Sequence, residues 1–278
     1  MAKPDFLVIG AQKAGTTWLD KMFKSHPDIW TPPVKELQFF NSYYMSEAFK
    51  WTRAHRKNHA LKSIEYAISN KENINWNKVR LSVHIGEPVK VDYNWYNKVF
   101  DYALPNTCKG EMSPEYSLLN QKHINEISKF YPNLKIILVI RDPVERAISG
   151  IQMRLLQNSL SEADQEVIDR FVISASSDWD VIERGNYASI IEKYSRSFDS
   201  NNLKIYLSDD FKASPQSCLE SLSLFLQVDS SKFKAEVNQR VHVGKQFKIS
   251  KDAIGSVVEH QKANSSWYKE NKERFRVL

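Results

Sequence analysis

Phe6-Leu7-Val8-Ile9-Gly10-Ala11-Gln12-Lys13-Ala14-Gly15-Thr16-Thr17-Trp18-Leu19 decides the fold. Four apolar residues of strand character run into a turn bounded by two glycines, and a helix pattern, Trp18 to Lys24, follows until His26-Pro27. Only 8 glycines occur in 278 residues, so two of them at one strand-to-helix junction mark backbone geometry that other residues adopt poorly. Such a loop aims free N–H groups and the positive end of a helix dipole at one point, which suits a phosphate. Lys13 adds a mobile cation, and Thr16 and Thr17 add hydroxyls. The strict Walker pattern places Lys directly before Ser/Thr, whereas here Lys13 stands inside the loop. The reading is a phosphate loop of a different kind.

A second junction of the same type lies at Ile136-Ile137-Leu138-Val139-Ile140-Arg141-Asp142-Pro143. Asp142 is placed to cap a helix and Pro143 to be its first residue, which predicts a helix from Val144 to about Leu156. Nucleotide-hydrolysing enzymes end the corresponding strand in an acid that holds Mg²⁺. Arg141 stands there instead, suited to a phosphate directly, with Ser149 eight residues on as a hydroxyl donor to the same anion. A third strand is expected at Leu203–Leu207, and helices at Tyr187–Phe198, Pro215–Leu226 and Asp252–Lys262. Strands alternating with helices predict an α/β chain: a P-loop-like, three-layer fold with a central parallel sheet flanked by helices.

No repeat, low-complexity run or Pro/Gly/Ser linker divides the chain, so residues 1–278 are expected to form a single domain. The stretch 41–92 differs in texture. It is rich in aromatics and carries Lys50, Arg53, His55, Arg56, Lys57, His59 and Lys62, and it reads as an insertion over the active edge of the sheet. The balance of 39 basic against 33 acidic side chains favours anionic ligands, with nucleic acid an unlikely one. Cys108 and Cys218 are too few for a disulfide framework or a cysteine metal site. No apolar run approaches the roughly 20 residues of a membrane span, and no signal-peptide pattern precedes Phe6, so the expected setting is cytoplasmic, without a membrane partner.

Together the two junctions resemble those of the sulfotransferases that use 3′-phosphoadenosine-5′-phosphosulfate (PAPS), the heparan sulfate branch and its bacterial relatives in particular. Gln12-Lys13-Ala14-Gly15-Thr16-Thr17-Trp18-Leu19 is similar to that family's loop for the 5′-phosphosulfate, and Ile140 to Ser149 to its 3′-phosphate motif. The resemblance implies that Gln12, Lys13, Ala14, Gly15, Thr16, Thr17 and Trp18 hold the 5′ end, and that Arg141 and Ser149 hold the 3′-phosphate. Tyr187, after Gly185-Asn186, would help frame the donor pocket, and Lys245, in Val241-His242-Val243-Gly244-Lys245, would close over the 3′-phosphate. Lys35-Glu36-Leu37-Gln38-Phe39-Phe40 resembles the segment in which the branch carries a glutamate general base, matching Glu36, with Glu111 in reserve. Tyr93-Asn94-Trp95-Tyr96 and Gly110-Glu111-Met112-Ser113-Pro114 resemble two further blocks. The branch usually follows the position of Glu111 with a lysine, where this chain has Met112.

These residues imply in-line sulfonyl transfer from PAPS to a hydroxyl or amine, on a carbohydrate or small metabolite, with adenosine 3′,5′-bisphosphate (PAP) as product and no metal required. Lys13 would stabilise the leaving oxygen and Glu36 would take the acceptor's proton. Two alternatives remain open from sequence. One is a P-loop nucleotide kinase, which would depend on Mg²⁺; the other is a non-catalytic polyanion-binding module built on the 50–62 cluster.

Overall fold

β1 (Phe6–Gly10) has every residue buried, as expected of an interior strand covered on both faces. The computed structural model, which describes residues 1–69, 73–234 and 245–277, places it at the centre of a five-stranded, wholly parallel sheet. The other strands are β2 (Ile29–Trp30), β3 (Cys108–Met112), β4 (Lys135–Ile140) and β5 (Leu203–Leu207), in the order β2-β3-β1-β4-β5. Phe6 is in register with Gly110 on one side and Lys135 on the other. Three of these strands are those the sequence predicts. β2 has two residues and β3 reads Cys-Lys-Gly-Glu-Met, too short and too polar to stand out.

The first two helices are α1 (Thr16–Ser25) and α2 (Phe39–Tyr44). The 41–92 stretch continues as α3 (Thr52–Ile68) and α4 (Trp76–Gly86), which pack side by side as a helical pair ahead of α5 (Tyr93–Phe100). Gly86 permits their close crossing, since a Cβ there would lie 2.6 Å from that of Ala60. A short 3₁₀ turn, Pro114–Leu118, and α6 (Gln121–Phe130) join β3 to β4. Then come α7 (Pro143–Gln157), α8 (Gln165–Ser176), α9 (Trp179–Glu183) and α10 (Tyr187–Ser195). Asp142 caps α7 as expected, its Oδ1 accepting from the N–H of Val144 (3.0 Å) and Glu145 (3.1 Å). After β5 the chain forms α11 (Asp210–Ala213), α12 (Pro215–Leu226), α13 (Lys251–His260) and α14 (Lys262–Asn271). Among the described residues, no helix is long and apolar enough to cross a membrane.

The main core is built from all five strands, the aromatics Phe39, Phe40, Tyr96 and Tyr116, and helices on their flanks. A second apolar cluster joins α7, α8, α9 and α13 through residues such as Ile151, Val172, Val181 and Val257. His26, which sits at the end of α1, is buried in this framework: its Nδ1 accepts from the N–H of Asp28 and its Nε2 bonds the carbonyl of Asp229 at 2.7 Å. Strand order reverses direction between β1 and β4, and in an open parallel sheet that reversal leaves a crevice at the C-terminal strand ends. The loop from Gly10 to Gly15 and the residues Arg141-Asp142 both stand there.

Candidate active site

The β1–α1 loop owes its shape to three residues with positive φ: Gly10 at 150°, Lys13 at 69° and Gly15 at 105°. Gly15 is the N-cap of α1 and offers no side chain, so the N–H groups of the first turn keep no side-chain cap. Lys13 projects from this loop without a partner among the described residues. Its ammonium is held below the usual lysine value, first by burial and then by the positive charges of Arg141 and Lys35; Glu36 acts in the opposite direction. Trp18 stacks on Phe211 with ring centroids 4.9 Å apart.

The two junctions are tied together. Arg141 donates through Nη1 to the carbonyl of Lys13 (3.2 Å) and through Nε and Nη2 to Glu145. Its backbone is clamped by Tyr187, whose buried hydroxyl donates to the Arg141 carbonyl at 2.8 Å and accepts from its N–H at 3.3 Å. On α7, Gly150 faces the first loop, where a Cβ would stand in ordinary contact with Gln12 Oε1 at 3.6 Å. Ser149, beside it, is half-buried. Lys245 lies apart from these groups: its Nζ donates to the Ser161 carbonyl and to Glu162, on the turn after α7. Val241 to Gly244, expected to close with it, lie outside the described residues.

Glu36 and Gln38 both adopt the left-handed backbone, with φ of 61° and 53°, a conformation that side chains other than glycine enter at an energetic cost. The segment carrying them belongs to no sheet or long helix, so its backbone groups are satisfied by side chains. Leu37 N donates to Glu111 (3.2 Å), Gln38 N to Ser113 Oγ (3.1 Å) and Phe39 N to the Tyr116 hydroxyl (3.0 Å). From the other side, Arg56 of α3 donates to the Leu37 carbonyl at 3.1 Å, and His55 bonds the Lys35 carbonyl at 3.4 Å. The 41–92 stretch therefore turns part of its basic cluster inward as a brace.

Those contacts separate the two candidate carboxylates. Glu111 is 1% exposed and accepts from Leu37 N and from the hydroxyls of Tyr96 (3.1 Å), Ser113 (2.8 Å) and Tyr116 (2.5 Å). Burial raises its pKa, and those hydrogen bonds pull the other way. The Glu36 side chain is 26% exposed and is held by Gln38 Nε2 at 3.3 Å, with Lys35 Nζ 3.9 Å away. Burial pushes its carboxyl up to about 6; Lys35 opposes the shift and the charge of Glu115 adds to it. Lys35 also donates to Thr17 Oγ1 at 3.2 Å, linking the Glu36 segment to the first turn of α1. Met112, at the position of the expected lysine, is 2% exposed and packs in the core.

Several members of this arrangement are assigned no role by any motif in the sequence. Lys35 stands beside Glu36, and Arg56 lies within the 50–62 basic cluster, so both carry a signal in the sequence. Glu115 and Arg184 have none. They form a buried ion pair at 2.8 Å, and Glu115 also accepts from Gln12 Nε2 at 2.9 Å, fixing the loop from beneath.

Lys13 on a glycine-bounded loop, Lys35 and a largely buried carboxyl beside it, and a second basic junction suit transfer of an anionic group. A model of the sulfotransferase family matches residues 4–230. The chain belongs to the sulfotransferase family. Among curated sulfotransferases, the membrane-associated sulfotransferase kil1 of Dictyostelium discoideum is 29% identical over 160 residues, covering 52% of this chain and 22% of that protein. The bifunctional heparan sulfate N-deacetylase/N-sulfotransferase 1 of Caenorhabditis briggsae is 23% identical over 253 residues, 84% of this chain and 24% of its own length. The chain thus spans under a quarter of these relatives. A sulfotransferase from Alicyclobacillus acidocaldarius superposes with a TM-score of 0.60 at 20% identity, over 96% of this chain and 97% of that one. The sulfotransferase domain from the curacin biosynthetic pathway does so at 0.56 and 16% identity, over 85% and 80%. These two show a shared fold.

Proposed function

We propose that this sulfotransferase moves the sulfonyl group of PAPS in line onto a hydroxyl or amine acceptor, with Glu36 as general base and PAP as the product. The observation that carries this reading is the meeting of Lys13, on the β1–α1 loop, with Lys35 and Glu36, on the segment ahead of α2, with Glu36 held to about 6. Gln12 to Trp18 would bind the 5′-phosphosulfate through the free N–H groups of the α1 N-terminus, the Thr16 and Thr17 hydroxyls and the two ammonium groups. Arg141 and Ser149 would take the 3′-phosphate. Tyr187 acts by holding Arg141, and Glu111 by holding the backbone of Leu37; Lys245 would reach the donor only by leaving Glu162.

In the transfer, the acceptor oxygen or nitrogen attacks sulfur as the bond from sulfur to the 5′-phosphate oxygen breaks. The acceptor's proton passes to Glu36, and Lys13 offsets the charge that grows on the leaving oxygen. A carboxyl near 6 is largely ionised at neutral pH yet more basic than an ordinary glutamate, which suits proton removal. Arg141 stands where a nucleotide hydrolase keeps its Mg²⁺-binding acid, so side-chain cations would take the place of a metal. The cytoplasmic setting and a carbohydrate or small metabolite as acceptor complete the proposal.

Titration calorimetry with PAP and AMP tests the donor assignment. PAP binding much tighter than AMP supports it, and equal affinities overturn it.

A further inference from the structure

A cleft of 320 Å³ opens between the Ala48–Trp51 turn, which leads into α3, and Asp178–Arg184, the stretch of α9. Its volume lies at the low end of the roughly 300–1,000 Å³ of small-ligand sites. Trp51 and Trp179 line it while remaining 44% and 56% exposed, and Phe49 and Leu118 supply further apolar wall. Two indoles left in solvent at one cleft represent a large apolar area that a ligand would cover.

Two chains of contact join this cleft to the candidate centre. Arg184, in its wall, pairs with Glu115, which holds Gln12 of the phosphate loop and whose charge acts on Glu36. Trp51 lies just ahead of α3, and Arg56, just over one turn later, grips the Leu37 carbonyl beside Glu36.

The charges of the cleft choose its occupant. Arg184 is shared between Glu115 and Asp180, and Arg154 between Asp178 and Asp180. Arg146, buried behind α9 beside the same carboxylates, donates to the Val181 carbonyl, so all three guanidiniums are committed and the wall has no cation to spare for an anion. That is the reverse of the phosphate loop, where Lys13, Lys35 and Arg141 gather. Aromatic faces suit the C–H face of a pyranose ring, and carboxylate oxygens accept from its hydroxyls.

We propose that this cleft is the acceptor subsite, and that it takes an uncharged saccharide, one ring lying against the indoles of Trp51 and Trp179 with its hydroxyls toward Asp178 and Asp180. The inference rests on the sulfotransferase mechanism proposed above, for which it supplies the acceptor class. A uronate or previously sulfated glycan would find no free cation there, would meet the Asp178 and Asp180 carboxylates, and would bind more weakly.

Titration calorimetry on the PAP-saturated protein tests it, with chitotetraose, cellotetraose and maltotetraose as neutral probes and a hyaluronan tetrasaccharide as the charged one. At least one neutral tetrasaccharide should bind about tenfold or more tighter than the charged one. Trp51→Ala and Trp179→Ala should each weaken it by about tenfold, with PAP affinity and melting temperature nearly unchanged. Failure of all three neutral probes on protein that binds PAP, equal or tighter binding of the charged probe, or affinity unaltered in both variants overturns the inference. Failure to bind PAP instead overturns the donor assignment, so the two outcomes are separable.

Discussion

Glu36→Gln should make the protein more stable and less active, and the two effects together distinguish a base from a structural carboxylate. The Glu36 carboxyl lies at about 6 in the fold against an ordinary value of 4.5. A group raised on folding binds more protons in the native state, so stability falls as pH rises from about 4.5 through about 6. That interval corresponds to about 2 kcal/mol, absent below the lower value and complete above the upper one. The amide has the same shape, can still accept from Gln38 and never ionises. Thermal melts should therefore show Glu36→Gln about 3 °C more stable than wild type at pH 7.5 and equal to it at pH 4.5. On any acceptor found active, kcat should fall by about 10²-fold or more at neutral pH. A lower melting temperature at pH 7.5, or a gain of the same size at pH 4.5, would refute the argument from burial; a gain in stability with full turnover would refute the role as base.

The remaining expectations follow from the same geometry. The wild-type rate should rise with pH through about 6 as Glu36 ionises, then fall on the alkaline side below the ordinary lysine value of 10.5 as Lys13 loses its proton, read from a kcat/KM profile. Lys13→Ala should lose about 3 kcal/mol of transition-state stabilisation, measured as kcat/KM. Arg56→Met frees the Leu37 carbonyl and should lower kcat by about 10²-fold through misplacement of Glu36, with PAP affinity nearly unchanged. Transfer should continue in excess EDTA; abolition by EDTA and recovery with Mg²⁺ would contradict the role given to Arg141.

The parts of the fold legible in sequence are those with strong local rules. β1, β4 and β5 are short apolar runs, the Gly10–Gly15 loop announces itself by glycine spacing, and Asp142-Pro143 is a helix start by capping chemistry alone. β3 is hidden because its Glu111 serves as an internal hydrogen-bond acceptor, so a central strand carries a charge-type residue where an apolar one is expected. The 41–92 stretch is legible as different in composition, yet that gives no sign that Arg56 faces inward, because a buried arginine and an exposed one look alike until their partners are placed. The pairing of Lys13 with Arg141 across 128 positions follows from sheet order, and the Glu115–Arg184 pair beneath them from tertiary packing. Lys35 illustrates the middle case: its neighbour Glu36 is legible from the motif, but its reach to Thr17 needs the turn of backbone that Glu36 and Gln38 make at positive φ.

The donor assignment is the central claim, and titration calorimetry of PAP against AMP, on wild type and on Arg141→Ala, tests it most directly. Wild type should bind PAP at least about 10²-fold more tightly than AMP, since charge-assisted bonds to a second phosphate contribute several kcal/mol. Arg141→Ala should remove most of that preference while leaving the weak AMP affinity in place. Equal affinities in wild type, or a PAP preference untouched in Arg141→Ala, would contradict the account.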